Sequence, residues 1–559
     1  MRRGPRAVAR ATPTVLALSA ALTLGTAPGA HAAGRPAASA GRAFHVDCAA
    51  PARGDGTRAR PWSTLARANA RPYGPGERLL FRRGSTCTGT LAPKGAGSAT
   101  APFTIGDYGS APARARLDGA GAHDTVLLAD TRYVRLSALE IVNAARPGSE
   151  RNGVRLRLTD YGTARGIAVT GLYVHDVRGG DAKTLTGSSG IHVAVEGTAR
   201  PSRYDGLEIA GNRIEDVDRE GVYFTSTWSK RALVGHQQDP HTYPGAWTPS
   251  TRVRVHHNTL GSLAGDGIKL DTTAGAVVEH NRVDGFQLRS PSANAGIWTF
   301  NTDDTLVQHN EVSGGGNTHD GMSFDADGAS RNTVFQYNER QSRQRGRLPA
   351  AVSVQRRADR GHHRPLQHQP RRRRPVIQIC AGPVLNTRVH NNSFLNTARI
   401  PAYLVQDDTA SPATADHRLT VRNNIFVSRG QGGYALKNPT PGLRFDHDVF
   451  HGLPPAHLPA NPGGTTADPG LRDDFRLTAG SPAHAAGRHV RDNGDRDYAA
   501  TTPRLLRHTA ARRGPHHRRV RGPRRPLTTP PHRYGPYADH PRPVPRRLTA
   551  ARTCVPSST

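Results

Sequence analysis

One short phrase recurs through the middle of the chain at intervals too short to fold alone. It reads Val255-His-His-Asn258, Val278-Glu-His-Asn281 and Val307-Gln-His-Asn310, at steps of 23 and 29 residues. Each copy is followed by a second apolar phrase: Gly267-Ile-Lys-Leu-Asp271, Gly296-Ile-Trp-Thr-Phe300 and Gly321-Met-Ser-Phe-Asp325. A unit of this size cannot bury its own apolar face, so the copies must stack and share a core. Alternation decides how they stack. Ile268 and Leu270 fall on one face and Lys269 and Asp271 on the other, which is strand period and not helix period. Consecutive units then pair as parallel strands about 4.8 Å apart, with the apolar set lining the bore. Asn258, Asn281 and Asn310 are expected to form a ladder at one corner, because Asn accepts left-handed turn conformations and can bond to its copy above and below.

The fold class expected is therefore all-β, a single-stranded right-handed parallel β-helix with an N-terminal cap. The period, the V-x-x-N phrase and the G-I-x-L phrase resemble those of the pectate-lyase-like β-helix proteins, over Leu91 to Gly487. That resemblance speaks for the fold. It implies action on an extracellular polysaccharide, but the fold hosts many unrelated activities, so function has to be argued from the outward face.

The first 32 residues read as a secretory leader: Arg2, Arg3, Arg6 and Arg10, an apolar run from Val15 to Leu24, then Ala30-His31-Ala32 as a cleavage site. A secreted, extracellular protein is expected. No later stretch is long and apolar enough to span a bilayer, so no membrane partner is expected. Residues 33–102 read as the cap that covers the first turn of the stack, and 103–487 as the β-helix. Cys48 and Cys87 lie in the cap segment and could form a disulfide after export; two free buried thiols are the alternative.

The formal net charge of +32 would ordinarily suggest a polyanion partner. It is concentrated in two places. Residues 340–374 carry 12 Arg and one Asp, and residues 499–559 carry 14 Arg and one Asp, so these two segments hold 24 of the 32 net charges. Neither shows a strand pattern. With permitted codons and a one-base shift, Gly361 to Pro370 can read as a V-x-Y-N phrase where a coil is missing, and Gly514 to Gly522 can recover a typical β-helix ending. Both segments thus read as translated out of frame. The chain outside them and the leader is close to neutral, which removes the main support for nucleic-acid binding.

If the G-[IV]-x-[LF] phrases stack, their outward positions form columns. One reads Arg155, His192, Tyr223, Lys269, Trp298 and Ser323; a second reads Asn152, Ser189, Glu220, Asp266, Ala295 and Asp320; a third contains Arg157, Thr225, Asp271 and Asp325. Acids, a base and aromatics in one strip differ from the Thr, Ser and Asn of an inert solenoid face. Carboxylates on adjacent coils can share a hard cation such as Ca²⁺, and a lysine beside it can serve as general base. Resemblance to β-helix polysaccharide lyases implies this arrangement, with metal-assisted β-elimination of a uronate-containing chain. Lys269 would be the base, with Asp266 and Asp271 in the catalytic group and Asp271, Asp320 and Asp325 as calcium ligands. Arg155, His192, Tyr223, Trp298 and Trp228 are expected to bind substrate, the last from an insertion between Thr225 and Ser250 that can wall a groove.

Two rival readings remain. Asn301-Thr-Asp-Asp304 is similar to the N-T-D motif of polygalacturonase-type glycoside hydrolases, which use an acid and a base without metal; their G-H-G and R-I-K motifs are absent. A non-catalytic, monomeric carbohydrate-binding β-helix could use the strip as a sugar platform.

Overall fold

The structure is a computed structural model. It describes residues 41–144, 149–181, 188–231, 245–291, 293–316, 319–326, 329–341, 352–354, 375–379, 386–396, 402–407, 418–429, 434–437, 442–452, 460–472, 476–484 and 486–487. The expected leader, the tail beyond 487, Cys380, Cys554 and most of the Arg-rich run 340–374 lie outside the described residues.

Three long parallel sheets run the length of the described chain, the second of 12 strands and the third of 11. One coil supplies Arg254–His256 to the first sheet, Thr259–Gly261 to the second and Ile268–Asp271 to the third. The next supplies Val277–Glu279, Arg282–Asp284 and Ala293–Phe300. Val255 pairs with Val278 and Val278 with Val307, so the repeated phrases lie directly above one another. This is a parallel β-helix. The bore is filled by Val255, Leu260, Ile268 and Leu270 and their stacked counterparts, all fully buried. A cavity left there by Leu270→Ala would cost about 2–5 kcal/mol.

The corner between first and second sheets carries the asparagine ladder. Asn258 donates its backbone N–H and its Nδ2 to Oδ1 of Asn281 at 3.1 and 2.9 Å, and Nδ2 also reaches the Ile209 carbonyl at 2.9 Å. Asn281, Asn310, Asn338, Asn392 and Asn424 repeat the pattern. A buried amide is thereby satisfied on both ends, which removes the penalty of about 1–3 kcal/mol for an unpaired polar group. The left-handed residue is the one before each ladder position: His257, His280 and His309 have φ of 55°, 54° and 52°. This corrects the expectation for the asparagines, whose inward amides are held by the ladder while the turn is made one residue earlier.

At the other end, Ala43–Val46 pairs with Arg78–Arg82, and the short helix Leu65–Asn69, N-capped by the Thr64 side chain, buries Leu65 and Ala68. Cys48 and Cys87 form a disulfide with Cα atoms 5.2 Å apart.

Candidate functional site

The candidate strip lies on the third sheet. Register confirms its middle: Arg155 pairs with His192, His192 with Tyr223, Tyr223 with Lys269, and Lys269 with Trp298. It corrects the far end. The pairing slips between Asn294 and Ala295, so Trp298 faces Asp325 and not Ser323, and Ala295 faces Met322. An irregularity of this kind moves every later side chain along the ladder. Asp325 therefore joins the column of Lys269 instead of that of Asp271.

Lys269 points away from the bore into a cage of rings. Its Nζ lies 4.9, 5.1 and 5.8 Å from the ring centroids of Tyr223, Trp298 and Phe300 and 3.2 Å from Oδ2 of Asp271. An ammonium so placed is held by the faces of the rings as well as by the carboxylate. Tyr223, Lys269, Asp271, Trp298 and Asp325 are all less than 10% exposed, at 2%, 6%, 4%, 2% and 3%. Burial raises the pKa of Asp271 above the carboxylate norm; Lys269, and a 2.8 Å hydrogen bond from the Thr272 hydroxyl, oppose the shift without cancelling it.

The remaining expected residues are placed differently. Asp266 accepts from the Ala295 backbone N–H at 2.5 Å, and its own N–H donates to Oε2 of Glu220 at 2.7 Å. Glu220 is paired with the fully buried Arg219 at 2.9 Å, which also reaches Asp181 at 2.7 Å. Asp266 thus fastens two coils together at the strand start and is not part of the lysine cage. His192 is fully buried with Nε2 2.9 Å from the Thr225 hydroxyl, and burial keeps its pKa well below the usual value, so it is a neutral ring beside Tyr223. Arg155 pairs with Glu196 and lies 3.9 Å from Asp124. Trp228 packs in the core, 5% exposed, with its indole N–H donating to the Glu196 carbonyl at 3.2 Å; it anchors the insertion and offers no face to a sugar. The Asp320 side chain lies outside the described residues.

Among the described residues, no group of three or more His, Cys, Asp and Glu side chains gathers as a cation site. Asp271 is bound to Lys269, Asp266 to a backbone amide, and Asp325 stands beside Trp298.

Asn301-Thr-Asp-Asp304 is a clamp. Arg231 donates to Oδ1 of Asn301 at 2.6 Å, to Oδ1 of Asp303 at 2.9 Å and to the Ala329 carbonyl at 2.6 Å, while its guanidinium lies 4.1 Å over the Trp247 ring. Asn301 returns a hydrogen bond to the Ser229 carbonyl at 2.8 Å and accepts from the Trp247 indole through its own carbonyl at 3.3 Å. Burial alone would raise Asp303, but Arg331 and Arg231 outweigh it and its pKa is lowered. The described ends of the insertion are thereby pinned to the end of the Ala293–Phe300 strand. Phe300 was missed by sequence reasoning. Strict alternation along Ile297-Trp-Thr-Phe300 would have turned Phe300 outward with Trp298.

No family model matches the chain. It is 27% identical over 431 residues to a lacto-N-biosidase of Bifidobacterium longum, a match covering 60% of this chain and 27% of that protein. The chain thus spans about a quarter of the length of that curated relative. Among solved structures it resembles the GH136 lacto-N-biosidase of Eubacterium ramulus: 19% identity, 76% of this chain and 67% of that chain, TM-score 0.54. The selenomethionine form of the same enzyme gives 19% identity, 76% and 66% coverage, and a TM-score of 0.55. The structural likeness shows a shared fold.

Proposed function

We propose that this chain is a carbohydrate-active β-helix protein that hydrolyses a glycosidic bond of an oligosaccharide at the third-sheet cluster. The observation that carries the reading is Asp271: a buried carboxyl whose pKa is raised, 3.2 Å from an ammonium caged by three rings. A carboxyl whose pKa is raised by burial is suited to give a proton to the leaving oxygen, and Lys269 then steadies the carboxylate that remains. Asp325, on the far side of Trp298, is the second carboxylate that glycoside hydrolysis requires. Trp298 and Tyr223 supply faces for sugar rings. Tyr223, Lys269, Asp271 and Trp298 are buried in this structure, so substrate entry goes with a rearrangement that exposes them. Similarity to a protein named lacto-N-biosidase supports hydrolysis and suggests the first substrate to try.

The finer readings stand within this proposal: a right-handed helix exported by the leader, with residues 33–102 as its end cap, working as a monomer. Metal-assisted elimination is the second reading, favoured by a buried lysine on the strip; calcium and Lys269 as base would then be required. One assay separates them. The chain is incubated with a chromogenic lacto-N-bioside and with oligogalacturonates, with calcium or with EDTA. Hydrolysis unaffected by EDTA and reduced at least 100-fold in Asp271→Asn supports the proposal. Calcium-dependent products absorbing in the ultraviolet would replace it with elimination, and binding without cleavage would leave a sugar-binding module.

A further inference from the structure

The corner that carries the asparagine ladder also carries a column of rings on its outer side. His257, His280, His309 and Tyr337 stack at centroid spacings of 4.8, 4.8 and 4.9 Å. The first three are exposed and Tyr337 is half-buried. The corresponding corner residues of the coils on the N-terminal side of His257 are Gly211, Gly171 and Ala138, also at positive φ of 64°, 62° and 65°. The column of rings therefore stops at His257 and leaves its outer face open over three steps without a ring. A groove of about 590 Å³ lies there, lined by His257, His256, Gly211, Thr170, Ser137 and Arg114 among others. A Cβ on Gly171 would meet nothing within 4 Å, and one on Gly211 only the Gly171 nitrogen at 4.0 Å.

The groove has a cation at the right place. Arg114 donates through Nη1 to the Gly171 carbonyl at 2.5 Å, which lays its guanidinium along the groove floor. Among the described residues no carboxylate pairs with it. Arg83, at the far end, is by contrast neutralised by Asp107 at 2.5 Å and bonded to two carbonyls. His256 is held 3.0 Å from Glu208.

We infer that this groove is a binding site for a carboxylate-bearing pyranose, a uronate or a sialate, separate from the third-sheet strip. One coil step of about 4.8 Å is the thickness of one ring stacked on another. A sugar lying over Gly211 continues the column, with its C–H face on the His257 imidazole. Its carboxylate meets Arg114 one coil further on, as a charge-assisted hydrogen bond. The hydroxyls of Ser137 and Thr170, neighbours in the first sheet, face the ring oxygens. The absence of side chains at Gly171 and Gly211 is what makes the room.

The test is calorimetric titration of the full chain with trigalacturonate and with sialyllactose, each beside a neutral partner, cellotriose and lactose. Gly211→His fills the groove with the ring that the next three coils use at this corner, and His257→Asn removes the stacking face while keeping a residue that the corner accepts at Asn391 and Asn423. At least one acidic probe is expected to bind tenfold or more tighter than its neutral partner, and which one binds distinguishes uronate from sialate. Both substitutions are expected to weaken that binding tenfold or more while hydrolysis at the third sheet is unchanged. If Gly211→His fails to fold, His257→Asn carries the test. No binding, equal binding of neutral and acidic probes, or binding indifferent to the substitutions would overturn the inference. Loss of hydrolysis in Asp271→Asn bears only on the third-sheet reading.

Discussion

The backbone N–H of Asn338 donates to the side-chain oxygen of Asn392 at 2.9 Å, across 54 residues of sequence. Phe335 pairs with Val389 at the same level, so the coils on either side of the Arg-rich run are direct neighbours in the first and second sheets. In the third sheet Val352–Val354 pairs with Phe324–Ala326 and with Pro375–Ile379. In the first and second sheets the step of 54 residues leaves the strand pairing continuous.

The ladder at this junction is expected to be energetically exposed. Asn392→Ala removes the acceptor of the Asn338 N–H and Nδ2, at 2.9 and 3.3 Å, and the donor to the Phe335 carbonyl at 3.0 Å. The Asn338 N–H is left buried and unpaired, while its Nδ2 keeps the Val307 carbonyl at 2.9 Å, at a cost of about 1–3 kcal/mol. Chemical denaturation reads this as a lower midpoint, and a change below about 0.5 kcal/mol would show that the junction is held by its strands alone.

The ladder also contains one carboxyl. Asp448 takes the rung after Asn424, accepting from its N–H at 2.8 Å and its Nδ2 at 2.9 Å, and burial raises its pKa to about 7, against the hydrogen bonds. The unfolded chain ionises this group near 3.8, so the folded state binds the extra proton between about 3.8 and 7. Stability contributed by the neutral form is therefore lost as pH rises through that window and stays low above it. Asp448→Asn restores the amide of the other rungs. It is expected to raise stability more at pH 8 than at pH 4, by on the order of 2 kcal/mol, read as a larger rise in melting temperature at pH 8. An equal gain at both pH values would show that the carboxyl is not the source.

Asp303 separates a clamp from a catalyst. It is held by Arg231 at 2.9 Å and by Arg331, both of which remain charged when it is neutralised. Asp303→Asn is expected to destabilise the chain by about 3–5 kcal/mol while leaving kcat of the folded fraction within a few-fold. A loss of 1,000-fold or more in kcat with an unchanged melting temperature would instead return Asn301-Thr-Asp-Asp304 to the hydrolase reading.

Much of this arrangement is legible in the sequence, and the illegible parts have identifiable causes. Ile268-Lys-Leu-Asp271 announces its two faces by strict alternation, and Lys269 stands where alternation puts it. Trp298 and Asp325 were not foreseen as neighbours, because the slip at Asn294 and Ala295 leaves no mark in a phrase-by-phrase alignment of the repeats. Trp228 and Asp266 were misread for a different reason. An aromatic or a carboxylate that ties a loop or two coils together has the same residue type as one that meets a ligand, and only its partners, the Glu196 carbonyl and the Ala295 amide, tell them apart. The open face of His257 was invisible for want of a signal. It is defined by three small residues in earlier coils, and small residues at a turn ordinarily mean only a turn.

Lys269 and Asp271 give the sharpest functional expectation. Burial drives the carboxyl up and the ammonium at 3.2 Å drives it down, with burial winning. Lys269→Met keeps the volume and the ring contacts but removes the opposing charge, so the pKa of Asp271 rises further. If Asp271 is the proton donor, activity falls as pH rises through its pKa, and the alkaline limb of the kcat/KM profile must move to higher pH in the variant. The peak rate falls as well, since the carboxylate left after proton transfer loses its counter-charge. Were Lys269 the base of an elimination, Lys269→Met would abolish turnover at every pH and leave no limb to shift. A surviving profile with an upward-moved alkaline limb therefore supports the acid role of Asp271, and a surviving profile with unmoved limbs rules that role out.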